Sequence, residues 1–179
     1  MIKKITLAVL CSLAVCTGGY AQMLSKGTME LEFEGNYDPK GAAGNQFFVA
    51  PGFGYYVVDN LELAVAGAFI YDDYETGYHP ALGAQYNINL GNKLVPFVGI
   101  NLGWGIWRYK EVDNIDGFVY GAEAGLKYFL TDSLALAVSV DYDLSTDDLW
   151  MEKNGKMVDN NWGIAWGLRY NFNSEQLGL

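Results

Sequence analysis

The chain has 179 residues, with Lys+Arg 11 against Asp+Glu 21 and a formal net charge of −10. An acidic balance of this size argues against nucleic acid as a partner. Both cysteines, Cys11 and Cys16, fall within the first twenty residues, so the remainder carries no disulfide and no cysteine metal site.

Lys3 and Lys4 precede an apolar run from Ile5 to Val15, and Gly19-Tyr20-Ala21 supplies a small-x-small site before Gln22. The pattern is that of a secretory signal peptide over residues 1–21, cleaved after Ala21. The apolar run falls short of the ~20 residues that span a bilayer, so an uncleaved anchor fits less well. Leu13-Ala14-Val15-Cys16 offers the alternative of lipidation at Cys16, although Val15 stands where lipoprotein processing favours a small residue. Losing Lys3 and Lys4 leaves 9 bases against 21 acids, a formal −12 on residues 22–179. These form one domain, with no linker or second composition.

Eight segments alternate with a two-residue period: 28–35, 46–57, 61–71, 78–90, 94–107, 118–130, 134–144 and 161–172. Most match the ~9–11 residues of a tilted transmembrane strand. Residues 58–60, 91–93 and 131–133 make tight turns, whereas 36–45, 72–77, 108–117 and 145–160 are longer and mostly acidic. Short periplasmic turns, long outer loops and an even strand count predict an all-β fold: an eight-stranded antiparallel up-and-down transmembrane barrel with both termini periplasmic.

One face of these segments is apolar, with Phe47, Tyr71, Tyr78, Trp104, Tyr120, Tyr142 and Trp162 at the outer end and Tyr55, Tyr86, Tyr128 and Tyr170 at the other. Two aromatic girdles around a charge-free band describe a lipid-facing surface. The opposite face is rich in Gly and Ala, among them Gly52, Gly54, Ala64, Ala66, Gly99, Gly103, Gly121, Gly163 and Gly167. Small residues suit a narrow lumen, whereas a lipocalin-like soluble barrel would need Lys, Glu, Ser and Thr there. Pro51 falls mid-strand and Pro80 and Pro96 near strand starts; a bulge at Pro51-Gly52 would reverse the parity of half its strand.

Tyr55-Tyr56-Val57-Val58-Asp59-Asn60-Leu61-Glu62-Leu63 and Tyr128-Phe129-Leu130-Thr131-Asp132-Ser133-Leu134-Ala135-Leu136 resemble the hairpins of small outer-membrane barrels. That family includes the transmembrane domain of outer-membrane protein A and many short porin-like proteins. The likeness covers essentially the whole of 22–179, and it implies residence in the bacterial outer membrane among its lipids and lipopolysaccharide. Tyr170 and Phe172 resemble the assembly signal read by the barrel-assembly machinery, here followed by residues 173–179. The family includes anchors, adhesins, channels and enzymes, so the likeness is specific for fold and weak for activity.

The inward charges carry the functional expectation. Glu30, Glu32 and Glu34, with Glu62 and Glu123, share the lumen with Lys127 and Arg169, and barrel closure brings Arg169 toward Glu30 or Glu32. Paired, they plug the lumen; exchanging partners, they gate it. His79 is the only histidine, with no serine nearby in its strand; inward Ser139, Asp141 and Asp143 lie on another. That constellation falls short of the serine-histidine-carboxylate pattern of a lipid A-modifying enzyme. Asp141, Asp143, Ser145, Asp147 and Glu152 echo calcium-loop spacing, but Thr146 stands where glycine is required and no helices flank it. The sequence therefore predicts a non-enzymatic outer-membrane barrel without cofactor or metal, in an envelope-structural or surface-interaction role. A low-conductance channel is the alternative, and a lipid A-modifying enzyme the third.

Overall fold

Alternation of apolar and small residues folds this chain into strands that can be satisfied only by closing on one another. The computed structural model of the protein describes residues 24–41, 44–73, 75–110, 114–152 and 155–173. The expected signal peptide, with Cys11 and Cys16, lies outside them. In chain order the strands are β1 (Met29–Gly41), β2 (Gly44–Val58), β3 (Leu61–Tyr71), β4 (Glu75–Asn87), β5 (Leu94–Tyr109), β6 (Ile115–Phe129), β7 (Leu134–Ser145), β8 (Trp150–Met151), β9 (Met157–Val158) and β10 (Asn160–Phe172). Strands β1 to β7 and β10 form a closed antiparallel barrel of eight, with β1 sealing against β10; β8 and β9 make a separate small hairpin.

The lipid-type face is continuous. Leu31, Phe33, Leu63, Val65, Leu82, Ile100, Val140, Ile164 and Trp166 are all exposed, with Tyr71, Tyr142 and Trp162 at the end bearing the long loops and Tyr55, Tyr86 and Tyr170 at the end bearing the tight turns. Tyr128 is only half-exposed. Pro51 does not bulge its strand: the β1–β2 register runs unbroken from Met29 opposite Tyr55 to Asp38 opposite Gln46, with Pro51 opposite Phe33. Parity is therefore kept, and Pro51 faces outward. Nearby Gly67, the register partner of Pro80, leaves open space on the same outer surface.

Strand β4 starts earlier than its alternation suggests and stops at Asn87, so residues 88–90 belong to the turn. Side chains there take over from the ladder: Gly91 N–H donates to Asn89 Oδ1 at 2.8 Å and Leu94 N–H to Asn92 Oδ1 at 2.8 Å. Gly91 adopts φ 70°, a conformation cheap only for glycine.

Inside, several inward side chains lie across a glycine of a neighbouring strand. A Cβ at Gly99 would fall 2.5 Å from Oε1 of Glu123, one at Gly163 2.6 Å from Oδ2 of Asp141, and one at Gly52 3.0 Å from Oε2 of Glu32. The glycines are thus the beds of the inward carboxylates. Gly125 is tighter, because its Cβ would meet both the Phe97 ring and the Val138 carbonyl oxygen at 2.5 Å. Neither partner is a flexible tip. Gly125→Ala is expected to cost about 1–3 kcal/mol through overpacking. Gly67→Ala, entering open space, should be neutral or stabilise by up to ~1 kcal/mol. Urea titration of the two refolded variants checks the order.

Candidate functional site

The lumen is layered from the turn end to the loop end. Residues ahead of β1 cross the turn end, where Gly27 N–H donates to the Tyr56 carbonyl at 2.9 Å and Asn60 N–H to the Leu24 carbonyl at 2.7 Å. Leu24 thereby joins Tyr56, Val95, Phe129 and Ala135 in a buried apolar floor.

Above the floor sits a network of buried ions. Lys127 Nζ lies 2.6 Å from Glu30 Oε1 and 3.5 Å from Glu62 Oε2, and all three side chains are 0% exposed. Full burial makes this pairing compulsory, since an isolated ion would cost several kcal/mol. Tyr56 donates its hydroxyl to Glu30 Oε2 at 3.0 Å, Asn87 Nδ2 donates to the Tyr56 oxygen at 3.2 Å, and Gln85 Nε2 donates to Glu62 Oε2 at 3.3 Å. The Phe97 ring lies 5.6 Å from the Lys127 ammonium.

Arg169 forms the second centre. Barrel closure places it opposite Glu32 in the β1–β10 register, and its guanidinium reaches Glu30 at 3.5 Å, Glu32 at 3.1 Å and Glu34 at 2.5 Å. Glu30 thus touches both cations and joins the two centres. Oxygens of Glu30, Glu32 and Glu62 gather within 4.8 Å of one another, a grouping that could hold a metal ion. The protein's own Lys127 and Arg169 already reach these carboxylates.

Of the seven charges singled out in the sequence, six come together. Glu123 does not join them. It stands toward the loop end, opposite Asp141 in the β6–β7 register, in a chamber of about 250 Å³ that His79, Ser139, Asp141 and Asp143 also line. His79 Nε2 is buried with no hydrogen-bond partner among the described residues, Ser139 included. Tyr170 stands exposed and stacks on buried Phe172 at 6.0 Å between ring centroids.

The chamber has a lid. Trp107, Tyr109, Val119 and Leu149 form a second buried cluster at the loop end, with Trp150 and Met157 of the small hairpin packed against it. The Tyr109 hydroxyl donates to the Leu149 carbonyl at 2.8 Å, tying the loop across the mouth. Inward Tyr56, Phe97, Trp107, Tyr109 and Phe129 were open to sequence reasoning, since they share the parity of the inward glycines on their own strands. Their height along the barrel axis carries no such signal.

A closed antiparallel barrel of eight strands, an apolar outer belt and a charged lumen are the decisive observations. The fold is the eight-stranded transmembrane barrel. The N-terminal β-barrel domain of OprF from Pseudomonas aeruginosa is similar, at 21% identity and a TM-score of 0.60 over 82% of this chain and 98% of that one. The outer membrane protein OprG from Pseudomonas aeruginosa is 12% identical, with a TM-score of 0.57 over 86% of this chain and 100% of its own. A de novo designed transmembrane β-barrel reaches 18% identity and a TM-score of 0.54 over 83% and 98%. No protein-family model and no curated protein matches the sequence. At these identities the likeness is one of fold.

Proposed function

We propose that the protein is an integral outer-membrane barrel with a non-enzymatic envelope-structural or surface-interaction role and a lumen closed to ions. The reading includes export by a signal peptide cleaved after Ala21, residues 22–179 as the barrel domain, and both termini in the periplasm. Lipids and lipopolysaccharide would surround the exposed belt, and the barrel-assembly machinery would read Tyr170 and Phe172.

One observation carries the closed lumen: Lys127, Glu30 and Glu62 interlock with no solvent exposure directly above an apolar floor. An eight-stranded interior is only just wide enough for its side chains. Planar-bilayer recording of the refolded protein is expected to give no unitary steps. A low-conductance channel is the second reading, favoured by the sharing of Glu30 between Lys127 and Arg169, which offers a route for pairs to exchange. Resolved steps that grow when Arg169 is replaced by Ala would establish that channel in place of the closed barrel. A lipid A mass profile that differs between expressing and deleted cells would establish the lipid-modifying enzyme instead.

A further inference from the structure

The outer face changes character in one sector at the loop end. On β3, β4 and β5 the register sets Phe69 opposite Tyr78 and Tyr78 opposite Ile106, an apolar row next above Trp104. The following outward row sets Tyr71 opposite Thr76 and Thr76 opposite Arg108, so hydroxyls and a guanidinium take over from hydrocarbon within two residues of each strand. Arg108 is exposed and leaves the wall on the lipid side. Lys110, just past the end of β5, is exposed as well, whereas Tyr109 between them is buried. Arg108 lies four residues beyond Trp104, roughly 13 Å along the strand before its tilt is counted. Girdle aromatics mark the edge of the hydrocarbon, so a side chain at that height meets headgroups.

This sector is the exception on an acidic rim. Asp73, Asp116, Asp147, Asp148 and Asp159 are exposed at the loop end, and across the barrel the row above Tyr142 and Trp162 is Leu144 opposite Asn160, without charge. The one other described base of that end, Lys156, is tied into the β8–β9 loop, where its carbonyl accepts from Glu152 N–H at 2.8 Å. Arg108 and Lys110 are differently placed. Neither side chain has an ion pair or hydrogen bond among the described residues, Asp116 on the adjoining strand included. The hydroxyls of Tyr71 and Thr76 have none among them either.

We propose that Arg108 and Lys110, with the hydroxyls of Thr76 and Tyr71, form a docking site for the phosphate of a lipid head in the loop-side leaflet. The guanidinium grips two phosphate oxygens as a fork, Lys110 adds a point charge, and the hydroxyls donate from the same row. The acyl chains of that lipid lie on Tyr78, Ile106 and Trp104, where the apolar belt continues below the bases without a break. Continuity with the belt selects a lipid over a soluble anion. Charge selects a phosphate over a neutral head, and the rest of the rim would repel it. The inference rests on the barrel residing in a membrane with its loops at the outer leaflet; whether the lumen conducts has no bearing on it.

The test uses the protein refolded into phosphatidylcholine vesicles that hold a small fraction of pyrene-tagged lipid A, read by energy transfer from tryptophan. The phosphorylated lipid is expected to gather at the barrel at least about fivefold over its dephosphorylated form, the scale set by bases near a charged lipid surface. Arg108→Gln with Lys110→Gln should abolish that preference. Lys26→Gln with Lys93→Gln removes as much charge at the turn end and should leave it intact. Arg108→Lys, which keeps the charge and loses the fork, should retain part of it and decides the matter if the double variant refolds poorly. A preference that survives the loss of both bases, or that falls equally in the turn-end variant, would overturn the site. So would one that EDTA abolishes, because a divalent bridge to the acidic rim would then hold the lipid. Displacement by inorganic phosphate where chloride of equal ionic strength has no effect would mean a soluble anion and overturn the lipid. With lipid A in both leaflets the result does not depend on where the barrel resides in a cell, which fractionation tests separately, and bilayer recording on the same preparation bears on the closed lumen alone.

Discussion

Replacing Lys127 with Met is expected to destabilise the refolded barrel by about 3–5 kcal/mol, the range for breaking a fully buried ion pair from one side. The methionine matches the length of the lysine stem and leaves little cavity, so the loss reports charge. Glu30 keeps Tyr56 and Arg169, whereas Glu62 keeps Gln85 at 3.3 Å and loses its cation, and its Oε1 has no hydrogen-bond partner among the described residues. Removing the stranded charges should therefore rescue the variant. Lys127→Met combined with Glu30→Gln and Glu62→Gln is expected to recover most of the loss in urea titrations in lipid vesicles. If the triple variant is no more stable than the single one, these ion pairs do not hold the plug.

An arginine at Val138 should cost about 2–4 kcal/mol, the penalty for a charge near the midplane of the lipid face. Val138 lies between Leu126 and Trp166 in the β6–β7–β10 register, in the middle of the exposed apolar belt. Ser139, one residue on, looks the other way. Ser139→Arg places its guanidinium in the chamber beside Glu123 and Asp141, so its stability cost should be smaller. The same urea titrations rank the two variants, and the reverse order would mean that the faces of β7 are misassigned.

The barrel was legible because a period of two, sustained from Trp162 to Phe172 and in seven other segments, has few other solutions. Face assignments followed from parity, and even Pro51 kept it, since an outward proline beside Gly67 needs no extra residue to relieve it. What alternation does not encode is height along the axis. Glu123 shares the inward parity of Lys127, yet four residues along a strand separate the chamber from the plug. The β8–β9 hairpin was invisible for a related reason, since strands of two residues carry no period. The short β1–β10 ladder depends on how far two chain-distant strands run together, which no local pattern records.

That short seam has a consequence for how the barrel breathes. Among the described residues β1 and β10 join the two ends of the fold with six registered pairs, whereas β5 and β6 share fourteen. The ladder between β1 and β10 survives where Arg169 straddles Glu32 and Glu34, and ends immediately beyond. Backbone amides of the loop-end half of β10 that lack a strand on one side should exchange with deuterated solvent or lipid-borne water far sooner than their counterparts on β6. Thermal opening would then begin there and travel toward the turn end, with the guanidinium of Arg169 as the clasp at which the fraying stops.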